Sequence, residues 1–244
     1  MFGLPKIRSH KMHMQIRYDS YLNSSLYKLH SKSGVRLQPV NDFNRNVVCH
    51  EVLSYFFDHS GRALPPPMVL SMMNQQEINQ HTLNLAALAI EHSQTPISLN
   101  LLGSQLKDEY LVSKLCMILR EGDVVELVEK EPVALDLFFL KAAEMFKYHE
   151  IKIALDDFGS GHFNFDILAL EPVHYLKLDM NFFHKIYASE GALQMLQGLL
   201  KSLKCYEVKV AVEGIESQAE FELCRQAGVD WYQGYYLGKP YCIS

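Results

Sequence analysis

The feature that most constrains the fold is an alternation of short apolar runs with longer stretches of helical periodicity. Apolar residues recur at helical spacing between most of the runs, as in 78–92, 134–149, 192–206 and 217–228. Most runs are continuously apolar, so both faces of each strand should be buried, as in a parallel sheet covered by helices. The eight candidate strands are VRLQPV (35–40), VVCHEVL (47–53), PISLNLL (96–102), VVELVE (124–129), IKIALDD (151–157), HYLKLDM (174–180), VKVAVEG (208–214) and DWYQGYYL (230–237).

This pattern predicts one α/β domain with a modified (β/α)8 TIM-type barrel. A chain of 244 residues is of the usual length for one such barrel. Only residues 41–46 separate the first two candidate strands, which leaves no room for a helix, so these two should pair as antiparallel neighbours. Residues 1–34 are basic and aperiodic and are interpreted as an N-terminal extension, with the domain covering 35–244. Three prolines at 65–67 predict a rigid loop before the first long helix.

Composition narrows the partners and the compartment. A net charge of −5 and a pI near 6.1 give no general attraction to a nucleic acid polymer or to a membrane surface, so neither is expected as a partner. Five cysteines without a CxxC pair indicate a reducing compartment. No secretory signal or membrane-length apolar run is present in the sequence, and a cytoplasmic location is therefore expected.

Polar residues interrupt the apolar runs near the C-terminal end of each strand from the second onward. From the third strand they recur about once per strand-and-helix unit, so a barrel would bring them onto one face. Several buried carboxylates cannot all stay ionised unless a cation neutralises them. The residues are Glu51, Asn100, Glu126, Asp156, Lys177, Asp179, Glu213 and Gln233.

Carboxylates and an amide without clustered His or Cys favour Mg²⁺ or Mn²⁺ over zinc. Adjacent Asp156 and Asp157 could supply ligands to two ions, with the first carboxylate shared. Two ions about 3.5–4 Å apart form the clamp used for in-line attack on phosphodiesters. Taken singly, each carboxylate could instead face solvent, and 156–159 could be an ordinary strand-to-turn transition; their co-occurrence favours the metal site. Strand alternation points His50 away from the site.

These residues also carry a resemblance to the EAL-domain family. The string Glu51-Val52-Leu53 resembles the signature triplet, and the resemblance extends over about 35–241. It implies hydrolysis of cyclic di-GMP to linear 5′-pGpG, a pair of Mg²⁺ or Mn²⁺ ions, and a homodimer. The later landmarks follow in the family's order: SLN (98–100), ELVE (126–129), DDFGSG (156–161), KLD (177–179), EGIE (213–216) and QGYYLGKP (233–240).

The resemblance implies a role for each position. It assigns one ion to Glu51, Asn100, Glu126 and Asp156, with Asp156 bridging to a second ion held by Asp157 and, directly or through water, Glu213. Lys177 would orient or polarise the attacking water, Gln233 would position water or substrate, and Asp179 would support Lys177. Glu129 and the segment 158–162, with Gly159 and Gly161, resemble a mobile loop and its anchor that link dimerisation to metal binding. Glu216 would be a further supporting residue, and Leu53, Tyr55 and Pro240 would contact substrate.

The clearest departure from the family is Tyr55, which occupies a position where the family commonly has an arginine that contacts a substrate phosphate. Loss of the guanidinium would weaken substrate binding by about 1–3 kcal/mol without compensation. Three hypotheses follow: an active phosphodiesterase, which the full ligand set favours; a cyclic di-GMP receptor with little or no turnover, acting through protein partners; and a regulator that binds neither metal nor nucleotide.

Overall fold

The computed structural model describes residues 32–128, 136–158 and 173–243. Eight of its strands close into a barrel, in which the first strand is antiparallel to both of its barrel neighbours and every other neighbouring pair is parallel. This confirms the predicted modified barrel. A two-residue strand, Ala63–Leu64, pairs antiparallel with the end of the second strand. The strands are β1 Lys32–Asn41, β2 Val47–Phe57, β3 Ala63–Leu64, β4 Ile97–Leu101, β5 Val124–Leu127, β6 Lys152–Phe158, β7 Val173–Leu178, β8 Lys209–Val212, β9 Trp231–Tyr232 and β10 Tyr241–Ile243.

The antiparallel pair of β1 and β2 is the part of the barrel that departs from a regular (β/α)8 order. Its register runs from Lys32 opposite Phe57 to Asn41 opposite Val47. The carboxylate of Asp42 stabilises the intervening turn by accepting hydrogen bonds from the backbone amides at 44 and 46. Because β1 runs against its neighbours, its first residues lie at the end of the barrel where the parallel strands finish.

Helices cover the outside of the barrel. The first begins at Pro66, inside the run predicted to be a loop, because a proline fits the first helical turn, where no backbone N–H is needed. β9 is shorter than the predicted 230–237, since the chain turns away after Gln233, and β10 follows it. The helices are α1 Pro66–Leu70, α2 Gln75–His92, α3 Glu109–Ile118, α4 Leu137–Tyr148, α5 Met180–Tyr187, α6 Ala192–Lys204 and α7 Gln218–Ala227, with a 3-10 helix at Gly103–Lys107.

The described core has three clusters, one of which lies beneath α1 and comprises Phe56, Leu64, Val69 and Met73. The largest cluster lies between the strands and the helices, where residues such as Leu99, Leu155 and Phe146 are almost fully buried. The third cluster fills the barrel below the strand ends and includes Cys49 and Val124. The polar side chains at the C-terminal ends of the strands therefore lie next to apolar residues deeper in the barrel. None of the helices in the described ranges is long and apolar enough to cross a membrane. The predicted division at residue 34 stays a prediction.

Candidate metal centre

The candidate site lies at the C-terminal ends of the parallel strands, inside the barrel. Side chains on a strand alternate between its two faces, so every second residue points inward. Asn100 lies directly opposite Glu126. The register offsets Glu51 from Asn100 by two residues, and Glu126 from Asp156 by the same amount, and a shift of two keeps each pair on one face. The structure thus brings together one polar residue from each of seven strands or strand ends: Glu51, Asn100, Glu126, Asp156, Lys177, Glu213 and Gln233.

Lys177 is the centre of this group. Its ammonium nitrogen lies 2.6 Å from Glu213 Oε1 and 2.7 Å from Glu126 Oε2. It also lies 3.0 Å from Asp156 Oδ1 and 3.5 Å from Glu51 Oε2. Only 4% of its side chain is exposed, so the four carboxylates replace the water that an ammonium normally binds.

Glu51 is fixed from both sides by amide groups. Asn100 Nδ2 donates to Glu51 Oε1 at 3.1 Å, and Gln233 Nε2 donates to Glu51 Oε2 at 2.5 Å. Both amides therefore turn their nitrogen toward the carboxylate. Their oxygens, Asn100 Oδ1 and Gln233 Oε1, are buried and accept no hydrogen bond from any residue that the structure describes.

A second group of carboxylates stands beside the first. Ligand oxygens of Asp156, Asp157 and Glu213 all lie within 4.8 Å of one another. Asp157 has a left-handed backbone with a φ of 53°. This conformation is uncommon for residues other than glycine, although Asp tolerates it better than most. Backbone strain is thus located at one of the carboxylates that the sequence predicts to bind metal.

Burial and mutual repulsion raise the proton affinity of two carboxylates. Burial raises the pKa of Glu126 to about 8, with Lys177 lowering it and the charges of Glu51 and Asp156 raising it further. Burial is also the largest cause that holds the pKa of Glu213 well above its ordinary value. For Lys177, burial lowers the pKa, but the surrounding carboxylates outweigh it and hold the pKa well above 10.5. The chain alone therefore supplies too little positive charge for its acidic groups.

The residues present fit divalent cations. When all five carboxylates are ionised, the single ammonium leaves four negative charges, which two divalent cations would balance. The donors are carboxylate and amide oxygens, which Mg²⁺ and Mn²⁺ prefer. Asn100 Oδ1 is a buried acceptor without a donor, and such an atom is costly unless a cation or a water satisfies it.

Other residues named from the sequence lie at the margin of the site or away from it. Asp179 is the N-cap of α5, where its carboxylate accepts from the backbone amide of residue 182 at 2.8 Å. Glu216 is exposed beyond β8. Leu53 and Tyr55 lie on the same inward face of β2 as Glu51, two and four residues further along the strand. Pro240 precedes β10, across β1 from β2. Glu129, Gly159 and Gly161 lie outside the described residues.

Sequence reasoning missed two polar residues that belong to this environment. Ser98 donates a hydrogen bond to Glu126 Oε1 and so helps to fix that carboxylate. Gln38 is buried on β1 directly opposite Glu51. The signal for Ser98 was its position two residues before Asn100, on the same face of β4. Gln38 could not be placed without the register of the β1–β2 turn.

His50 lies on the opposite face of β2. Its Nδ1 is 2.7 Å from Thr95 Oγ1, and its Nε2 is 3.1 Å from the hydroxyl of Tyr241. The imidazole ring therefore packs on the outer surface of β2 and does not face the carboxylates.

Comparison with known families decides what kind of barrel this is. A family model described as EAL domain matches residues 26–240, which is most of the chain. The chain belongs to the EAL-domain family.

Curated relatives of this EAL domain include one protein from Escherichia coli and one from Borreliella burgdorferi. The probable cyclic di-GMP phosphodiesterase PdeG of Escherichia coli is 27% identical over 117 residues, which covers 48% of this chain and 23% of PdeG. The cyclic di-GMP phosphodiesterase PdeA of Borreliella burgdorferi is 23% identical over 229 residues, which covers 83% of this chain and 33% of PdeA. The matched region thus spans a third or less of these relatives.

A solved structure shows the same fold. Klebsiella pneumoniae BlrP1, in a complex with manganese and cyclic di-GMP, superimposes with a TM-score of 0.71 at 20% identity, covering 87% of this chain and 57% of BlrP1. At this identity the likeness concerns the fold.

Proposed function

We propose that this EAL domain is a phosphodiesterase that hydrolyses cyclic di-GMP to linear 5′-pGpG with two Mg²⁺ or Mn²⁺ ions. The observation that carries the proposal is the convergence of five carboxylates, two amides and one lysine at the ends of the barrel strands. Family membership and the names of PdeG and PdeA support the substrate.

One ion would be held by Glu51, Asn100, Glu126 and Asp156, and the second by Asp156, Asp157 and Glu213. When bound, such a pair supplies a low-pKa water and charge stabilisation at the phosphoryl group. The orphan oxygen of Asn100 and the close set of Asp156, Asp157 and Glu213 support this division of ligands. The homodimer implied by the resemblance stays a prediction, because it depends on residues outside the described ranges.

The reaction consumes one water. A new bond forms between the water oxygen and phosphorus, the bond from phosphorus to the 3′ oxygen breaks, and that oxygen leaves as a hydroxyl after gaining a proton. Lys177 would orient the attacking water and offset charge on the phosphoryl oxygens, and the position of its ammonium among the carboxylates supports this role. Gln233 fixes Glu51 with its amide nitrogen and keeps its oxygen available to a water or the substrate.

The test is to incubate the purified protein with cyclic di-GMP and Mn²⁺ and to separate the products by chromatography. Glu51→Ala is the site variant, and Glu144→Ala, an exposed residue on α4, is the matched control. We expect pGpG from the wild type and the control, and a loss of at least about a hundredfold in the site variant. A folded wild type that forms no pGpG would exclude the proposal.

A receptor is the second candidate. The observation that favours it is Tyr55, which is neutral and is almost fully buried on the inward face beyond Glu51. Tight binding of cyclic di-GMP by the wild type without any product would select this candidate.

A further inference from the structure

Arg36 lies on the same inward face as the candidate metal centre. It pairs with Leu53 across β1 and β2, and directly opposed residues of an antiparallel pair point to the same side. Leu53 lies two residues beyond Glu51, which is about 7 Å further toward the open end of the barrel at about 3.4 Å per residue. The guanidinium is therefore carried by a strand beside the carboxylates and stands above them.

Tyr55 supports this arginine. The guanidinium carbon of Arg36 lies 5.3 Å from the centre of the Tyr55 ring, within the range of a cation–π contact. Gly34 is opposite Tyr55, and a Cβ there would overlap the tyrosine ring. The glycine thus lets the ring lie across β1, and the ring forms a flat surface beneath the guanidinium.

Arg36 differs from Lys177 in its ionic surroundings. No carboxylate in the ranges that the structure describes forms an ion pair with Arg36, whereas Lys177 is surrounded by four. Arg36 is half-buried, so its guanidinium is partly shielded from water. A planar guanidinium presents several donors that match the oxygens of a phosphate group.

We propose that Arg36, stacked on Tyr55, binds a phosphate group of the cyclic dinucleotide at the mouth of the barrel. The inference rests on the proposed function, because the phosphodiester substrate is what gives the arginine an anionic partner. In this arrangement the ring of Tyr55 packs against the guanidinium of Arg36 from the neighbouring strand β1. The pair then supplies the positive charge and the bidentate phosphate contact that a tyrosine alone lacks.

The experiment compares Arg36→Gln and Arg36→Lys with Arg45→Gln. Arg45 is a matched control, because its guanidinium also stacks on aromatic rings but belongs to the turn at the other end of β1. Binding of cyclic di-GMP is measured by calorimetry with Ca²⁺, which takes the same oxygen ligands in looser geometry. KM and kcat are then measured with Mn²⁺.

We expect Arg36→Gln to raise the dissociation constant and KM by roughly 10- to 100-fold, with kcat within about threefold of the wild type. Arg36→Lys should give a dissociation constant and KM between those of the wild type and Arg36→Gln, because lysine keeps the positive charge but lacks the planar guanidinium. If Arg36→Gln fails to fold, Arg36→Lys provides the test. Arg45→Gln should bind like the wild type.

Unchanged binding and KM in a folded Arg36→Gln would overturn the inference and leave the phosphodiesterase intact. A wild type that binds cyclic di-GMP but does not hydrolyse it would overturn the proposed function alone, and weaker binding by Arg36→Gln would still support the arginine contact.

Discussion

The ammonium of Lys177 on β7 lies 2.6 Å from Oε1 of Glu213, which follows the neighbouring strand β8. On the other side of β7, the same ammonium lies 3.0 Å from Oδ1 of Asp156 on β6. A single buried cation thus joins carboxylates from strands on both of its flanks. This makes the lysine a structural counter-ion as well as a candidate catalytic group, and the two roles can be separated by experiment.

Replacing Lys177 with methionine should leave the surrounding carboxylates without their cation. In EDTA we expect the free energy of unfolding to fall by about 3–5 kcal/mol, the cost of removing one member of a buried ion pair. Added Mn²⁺ should restore most of the lost stability but not the activity. Lys141→Met is the control, since its pair with Glu109 is mostly exposed and should contribute less than about 1 kcal/mol. Denaturant unfolding measures both, and equal losses would contradict the counter-ion role.

The metal-free protein should lose stability as the pH rises. Glu126 has a pKa of about 8 in the folded chain and an ordinary value of 4.5, so between these values the native state holds a proton that the unfolded state releases. The free energy of unfolding in EDTA is therefore highest near pH 5 and decreases toward pH 8. Thermal unfolding at four pH values measures the slope, which Glu126→Gln should make shallower. A stability that increases over this range would show that the carboxyl is ionised throughout.

Asp157 allows the number of bound ions to be tested. Asp157→Asn removes the charge but keeps a side chain that tolerates the left-handed backbone at φ 53°. We expect Mn²⁺ stoichiometry to fall from two to one by calorimetry, with metal-free stability within about 1 kcal/mol of the wild type. Asp157→Val should also destabilise the fold, by about 1–3 kcal/mol, because a β-branched residue is strained there. Two ions in Asp157→Asn would remove this residue from the ligand set.

Gly214 follows Glu213 and should be intolerant of any side chain. Its φ is +69°, and a Cβ would overlap the side chain of Met180. Gly214→Ala is expected to cost about 1–3 kcal/mol and to lower activity by displacing the neighbouring carboxylate. Gly198→Ala is the control, because that glycine lies within α6 with open space around it, so the change should stabilise by about 0.5–1 kcal/mol. The melting temperatures of the two variants should therefore move in opposite directions.

The sequence predicted the barrel because continuously apolar runs and a strand-and-helix repeat can be recognised without tertiary context. The same logic predicted that Glu51, Asn100 and Glu126 would converge, since the ends of parallel strands share one face. Their roles as ligands stay predictions. The contacts of Lys177 with Glu51 and Glu126 could not be predicted, because they depend on how barrel curvature brings non-adjacent strands together.

The other positions that could not be predicted from the sequence depend on the geometry of local turns. The register of β1 depends on how Asp42 closes a short turn, and a change of one residue would exchange the inner and outer faces of the strand. The positions of Arg36 and Gln38 were therefore not predictable from the sequence. The N-cap role of Asp179 was readable in principle, since Asp before a helical stretch favours capping.

The reversed direction of β1 has a consequence for how variation in this chain should be interpreted. In a regular barrel the early residues of a strand support the base, and the late ones contact the ligand. In β1 the order is inverted, so substitutions near Gly34 and Arg36 should change ligand preference, while those near Val40 should change thermal tolerance. A library aimed at altered nucleotide selectivity would therefore place its diversity in the first half of this strand.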